Sequence, residues 1–131
     1  MSYAMKFAAL ALVLLAGNAM SAEEVKLPDW VPAFPDAKYQ VVKNAKTDKL
    51  EEVILYFTTA KSPTEVKEFY QKGFESKGFK DLKAQSVDDK EDQVKQENLK
   101  ADDGKRYWYI SARLEKDQKE TQVSLVYQTK M

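Results

Sequence analysis

Hydrophobic and polar positions divide this chain into three parts: an unbroken apolar run, a stretch punctuated by prolines, and a series of alternating segments interrupted by one helical pattern. Residues 7–16 (FAALALVLLA) follow the positive charge of Lys6 and precede a cluster of small residues, 17–22. That order is the layout of a secretory signal peptide, and the apolar run is well short of the roughly 20 residues that a membrane-spanning helix needs. Ala19 and Ser21 suit cleavage after Ser21, and cleavage after Ala22 stays open beside it. The chain therefore reads as a signal peptide over residues 1–22 followed by a single domain over 23–131.

The proline-punctuated part carries Pro28, Pro32 and Pro35 between Leu27, Trp30, Val31 and Phe34. Proline removes backbone donors and biases the preceding residue toward extended geometry, so residues 23–36 suit neither a helix nor a central strand. Their apolar side chains still need burial. The spacing predicts a strap lying across the body of the domain.

Residues 38–43 read as a first strand and 44–49 as a polar turn. Residues 52–59 (EVILYFTT) are apolar on both parities, the pattern of a central strand covered on both faces. Ser62-Pro63-Thr64-Glu65 then supplies an N-cap serine, a proline in the first helical turn and a glutamate that closes a capping box. Val66, Phe69, Tyr70, Gly73 and Phe74 recur on one helical face. Gly78 reads as the glycine just past the helix, which pairs Phe74 with Phe79 across a Schellman cap and predicts a helix over 63–77. Gly73, on the apolar face, predicts close approach to the sheet.

Beyond the helix, residues 80–87, 93–101, 106–114 and 121–129 read as strands. Residues 93–101 also fit a poor amphipathic helix opened by Asp88, Asp89 and Asp92, but Asp103-Gly104 is a hairpin signal and asks for a strand before it. The expected fold is α+β: a single, largely antiparallel sheet of five or six strands with one main helix packed on one face.

Val31-Pro32-x-Phe34-Pro35-x-Ala37, Phe57-Thr58-Thr59, Ser62-Pro63-x-Glu65-Val66-x-x-Phe69-Tyr70 and Gly78-Phe79 together resemble a group of small exported bacterial domains that have no assigned function. The resemblance spans residues 31–79 and implies an antiparallel sheet with one helix on a face. It transfers no catalytic or binding residue.

Charge and composition mostly exclude. The full chain has 21 basic and 21 acidic side chains; Lys6 is the one charge within residues 1–22, so the mature balance is 20 against 21 over 109 of the 131 residues. Acids and lysines alternate, as in Lys90-Glu91-Asp92, which is the pattern of a solvated surface and not the basic stripe of a nucleic-acid binder. With no histidine and no cysteine there is no imidazole base, thiolate nucleophile, disulfide or usual zinc site. No cofactor or metal is implied, since no glycine-rich phosphate loop can be built and residues 88–92 lack the glycine and oxygen spacing of a calcium loop.

What the expected core leaves over is aromatic. Trp108, Ile110 and Leu114 suit the face beneath the helix, which puts Tyr107, Tyr109 and Tyr56 on the other face, with Arg113 beside them. Either the strap, with Trp30 and Phe34, covers these tyrosines as a second small core, or part of the face is open and binds a saccharide, a peptide, an envelope protein or a second subunit. The second alternative makes the protein a non-catalytic exported binding or accessory module, periplasmic or secreted, acting through Tyr107, Tyr109 and Arg113 with Trp30 at the edge. The competing reading is a carboxylate-dependent hydrolase of envelope polymers, which needs two acids converging in a cleft.

Overall fold

The structure, a computed structural model, describes residues 19–21 and 25–131. The predicted signal segment otherwise lies outside the described residues. One antiparallel sheet and one helix make up the fold, with strands β1 (Ala19–Ser21), β2 (Lys38–Lys46), β3 (Leu50–Thr59), β4 (Lys83–Asp89), β5 (Val94–Asp102), β6 (Arg106–Leu114) and β7 (Thr121–Lys130) and helix α1 (Pro63–Glu75). The order across the sheet is β1-β2-β3-β7-β6-β5-β4, so β3 pairs with β7 and the chain's last strand lies in the middle. Six of these strands are long; β1 is a three-residue piece paired to the start of β2.

The helix begins as its sequence dictates. Ser62 Oγ accepts the Glu65 N–H at 3.2 Å while Glu65 accepts the Ser62 N–H at 3.1 Å. At the other end Gly78 takes φ 97°, the Phe79 N–H reaches the Phe74 carbonyl at 3.2 Å, and the two phenyl rings meet at 5.6 Å. That is the Schellman closure, reached after the regular helix ends at Glu75 because Lys77 donates three residues back, to Phe74, and tightens the last turn.

Residues 94–102 form a strand, as the hairpin signal required. Asp103 and Arg106 close a two-residue turn over Gly104 (φ 91°), and the Asp103 carboxylate accepts the backbone N–H groups of Lys105 and Arg106. The acidic stretch between β4 and β5 is likewise a turn, in which Asp89 Oδ1 accepts from the Glu91 and Asp92 N–H groups.

One face of the sheet carries the core. Tyr39, Val53, Leu55, Phe57, Leu99, Trp108, Ile110, Val123, Leu125 and Tyr127 are buried there, together with Val66, Tyr70 and Phe74 of the helix. Trp108 stacks on Phe74 at 3.7 Å between centroids, nearly parallel. A helix is about 10 Å wide and strands lie about 4.8 Å apart, so one helix covers two strands. Here α1 lies over β5 and β6. The strap covers the rest of the same face: Phe34 packs on Phe57, Phe69 and Tyr70, and its N–H donates to the Tyr39 hydroxyl at 3.0 Å. Gly73 is needed for this second layer and not for the sheet, because a Cβ there would stand 2.5 Å from Pro32 Cγ. Close packing has a cost in unmet donors, for the Tyr70 hydroxyl and Trp108 Nε1 are buried without a hydrogen-bond partner among the described residues.

At the helix N-terminus a buried carboxylate ties α1 to the sheet. Glu97 of β5 accepts from Thr64 Oγ1 at 3.3 Å and from Ser86 Oγ, and Lys67 Nζ lies 3.6 Å away. The charge is thus compensated where burial would otherwise disfavour it.

Candidate functional site

The strap and the helix share one face, so no described element covers the other. This corrects two expectations: the strap does not cover the tyrosines, and β3 is central but covered on one face only. The reason is the width of the sheet, which leaves the β2, β3 and β7 half of the core face bare beside α1 and draws the strap's apolar side chains there.

The uncovered face is laid out by register. Tyr107 lies opposite Gln128, which lies opposite Glu52; Tyr109 lies opposite Val126, which lies opposite Ile54; Ser111 lies opposite Ser124, which lies opposite Tyr56; and Arg113 lies opposite Gln122. Ile54, Tyr56, Tyr107, Tyr109 and Val126 therefore make a contiguous, half-buried apolar patch in which each side chain is shielded by its cross-strand neighbours. Around it stand amides and hydroxyls, with Lys100 opposite Tyr109 and Asp102 opposite Tyr107. Gln96 donates to Asn98 Oδ1 at 3.0 Å and to Ser111 Oγ at 3.1 Å, and it accepts from Arg113 at 2.9 Å. Arg113 also pairs with Glu115 at 2.9 Å and keeps its side chain 43% exposed, so the guanidinium reaches both a carboxylate and water. At the opposite end Glu52 accepts from Gln128 and pairs with Lys43, both at 2.6 Å, which holds its carboxyl below the usual range.

A cleft of about 160 Å³ opens beside Tyr107, lined by Leu50, Asp102, Arg106, Gln128 and Lys130. Partial burial raises the Tyr107 phenol, helped by the neighbouring Tyr109 and Asp102. Of the four residues singled out in the sequence, Tyr107, Tyr109 and Arg113 share this face of β6. Trp30 does not join them. It packs on the helix side against Phe74, Phe79 and Tyr127, with the Arg106 guanidinium 5.5 Å from its ring.

Sequence reasoning missed Ile54, Val126 and the amide network as parts of one surface. Their signal was present in the second parity of β3 and β7, but nothing in the pattern said which parity would stay bare. It also missed a groove of about 460 Å³ on the other side, between the strap, the end of β3 and α1. Phe34 and Phe69 line it together with Asp36, Lys61, Glu65 and Glu120. Glu65 is held below its usual range by the Ser62 N–H and hydroxyl that bind it in the cap, and Glu120 accepts from Thr58 at 3.2 Å. Among the described residues no three acids are placed to hold a metal ion, and no helix is long and apolar enough to cross a membrane.

No family model, curated protein or solved structure gives a significant match to this chain.

Proposed function

We propose that the chain is an exported protein of the bacterial envelope, periplasmic or secreted, that works without catalysis as a binding or accessory module, docking its ligand on the uncovered face of the sheet. The observation that carries this reading is the partly exposed apolar patch of Ile54, Tyr56, Tyr107, Tyr109 and Val126, bordered by amides and hydroxyls and by the oppositely charged Lys100 and Asp102. Contiguous apolar patches of this kind mark interaction sites in soluble proteins, and tyrosine offers a flat apolar ring with a polar tip. Gln96, Ser111, Gln122, Ser124 and Gln128 add donors and acceptors without net charge, which suits a saccharide of the envelope better than a polyanion. Export rests on the order of charge, apolar run and small residues within 6–22, and processing after Ser21 or Ala22 removes β1 and leaves β2 as a sheet edge.

The test is retention of the exported protein on envelope polysaccharide and peptidoglycan, alongside the double variant Tyr107→Ala/Tyr109→Ala. Loss of retention in a variant that still melts cooperatively supports the reading. Equal retention removes this face from the function, and a periplasmic product that still begins at Met1 removes the processing.

A second reading, hydrolysis of envelope polymers by paired carboxylates, is favoured by the groove that holds Asp36 and Glu120 near Glu65. The Glu65 carboxylate is tied into the capping box by the Ser62 N–H, which leaves Asp36 and Glu120 as the groove's other acids. Release of soluble fragments that stops with Glu120→Gln would establish it.

A further inference from the structure

The two ends of the sheet, β2 with the three-residue β1 at its start and β4 alone, are built differently. On β2 the register shifts between Val41 and Lys43, a bulge that leaves Val42 61% exposed, and Lys38, Lys43 and Lys46 line the strand. Bulges and lysines are the devices by which proteins blunt an edge. On β4 there is no bulge: the strand pairs with β5 in unbroken register from Lys83 to Asp89, all seven residues are exposed, and the charges stand at its two ends, Lys83 against Asp88 and Asp89, leaving 84–87 uncharged. No described element covers its free side. Val87, 39% exposed, is one of the few large apolar side chains left to water among the described residues.

We propose that β4 pairs antiparallel with β4 of a second copy of this chain, about a two-fold axis through Ser86, joining the two sheets into one. The strand is complementary to itself in that register. Lys83 comes opposite Asp89 of the second copy, Gln85 opposite Val87, and Ser86 opposite Ser86, so the ion pair forms twice. Sliding the strands by two residues in either direction loses both ion pairs, and a shift of one residue sets outward-facing side chains against inward-facing ones, which a continuous sheet forbids. Asp89 is already oriented for the role: Oδ1 is held by the Glu91 and Asp92 N–H groups, and Oδ2 remains for the lysine. A contact of one strand edge is small, so the dimer is a reversible one. The axis stands perpendicular to the sheet and turns both tyrosine faces to the same side. The inference rests on the edge alone and holds whether or not that face binds a ligand.

Sedimentation equilibrium of the protein expressed from its full sequence tests it. A reversible monomer–dimer equilibrium that weakens with salt is expected. Lys83→Glu replaces two attractions by two repulsions and weakens the dimer about tenfold, on the scale of cross-strand charge pairs. Ala84→Lys sets a lysine opposite Asp88 of the second copy twice and tightens it, an effect that misfolding does not imitate. Because the chain has no cysteine, a spin label on Gln85→Cys reports the location: its spectrum broadens in the dimer, and that of a label on Asn44→Cys in β2 does not. A protein that stays monomeric at all concentrations, variants that associate as the wild type does, or broadening from residue 44 instead of residue 85 would each overturn the proposal.

Discussion

Trp108 and Tyr109 are neighbours on β6 and live on opposite sides of the same sheet. Trp108 is sealed between the sheet and Phe74; Tyr109 is half-buried between Val126 and Lys100 on the open side. Burial of an aromatic ring therefore follows from what lies above the strand, and that is decided by two remote segments, α1 and the strap. The largest expected effect separates the two faces. Trp108→Ala should cost about 4 kcal/mol by opening a cavity under the helix, whereas Tyr109→Ala should cost about 1 kcal/mol, the scale of a cross-strand contact on an open face. Chemical denaturation of both variants measures the ratio; equal losses would mean that the outer face is covered after all.

Alkali sharpens the comparison next. Tyr127, on the covered face, is pushed up to about 12, first by burial and then by the charge of Glu51 and the nearby Tyr39. In the unfolded chain the phenol ionises near its ordinary value of 10.0. Between those values the unfolded state binds fewer protons than the folded one, so stability is intact below pH 10 and falls as the pH rises toward 12. The loss from this group alone is about 2–3 kcal/mol. Burial raises Tyr39 and Tyr70 as well, with the same sign. Tyr127→Phe should flatten the alkaline limb of the stability curve, and a limb of unchanged slope would show that the phenol is not sealed.

Gly73 probes how the covered face acquires its second layer. Gly73→Ala drives a methyl into Pro32, an overlap worth about 2 kcal/mol, while the gain in helix propensity returns about 1 kcal/mol. The net loss should shrink when Pro32→Ala makes room, and thermal melts of the double variant read this coupling. Additive losses would place the strap elsewhere.

Much of the fold was legible because local chemistry and final structure agree. The capping box at Ser62, the glycine at 78, the hairpin at Asp103 and the alternation of β6 and β7 each specify a local geometry that no tertiary contact overrides. Which face the strap would cover was not legible, since Trp30 and Phe34 announce that they need burial but not where. The answer depends on strand order: β7, last in sequence, inserts between β3 and β6, widens the sheet beyond the reach of one helix and leaves a bare half for the strap. The same non-local step removed Trp30 from the candidate site and left Ile54 and Val126 beside Tyr109. Gly73 was legible as a point of close approach, but its neighbour, Pro32, comes from the strap.

The smallest expected effect on stability carries the most information on function. Tyr107→Ala and Arg113→Ala both lie on the open face and should leave folding within about 0.5 kcal/mol of wild type, as surface substitutions do. Along a strand the two positions are six residues apart, about 20 Å at 3.4 Å per residue, with Tyr109 and Ser111 between them. A short ligand resting on the tyrosines cannot reach Arg113, which is in any case held by Glu115 and Gln96. An extended polymer running along β6 reaches both. Retention on envelope saccharide should therefore fall with Tyr107→Ala in either case, and fall again with Arg113→Ala only if the ligand is long, the two losses adding because the sites share no partner. Titration with saccharides of increasing length against the two variants locates the point at which Arg113 begins to matter. An Arg113→Ala loss already present with the shortest saccharide would contradict the layout of the face, since it requires contact across a distance that such a ligand does not span.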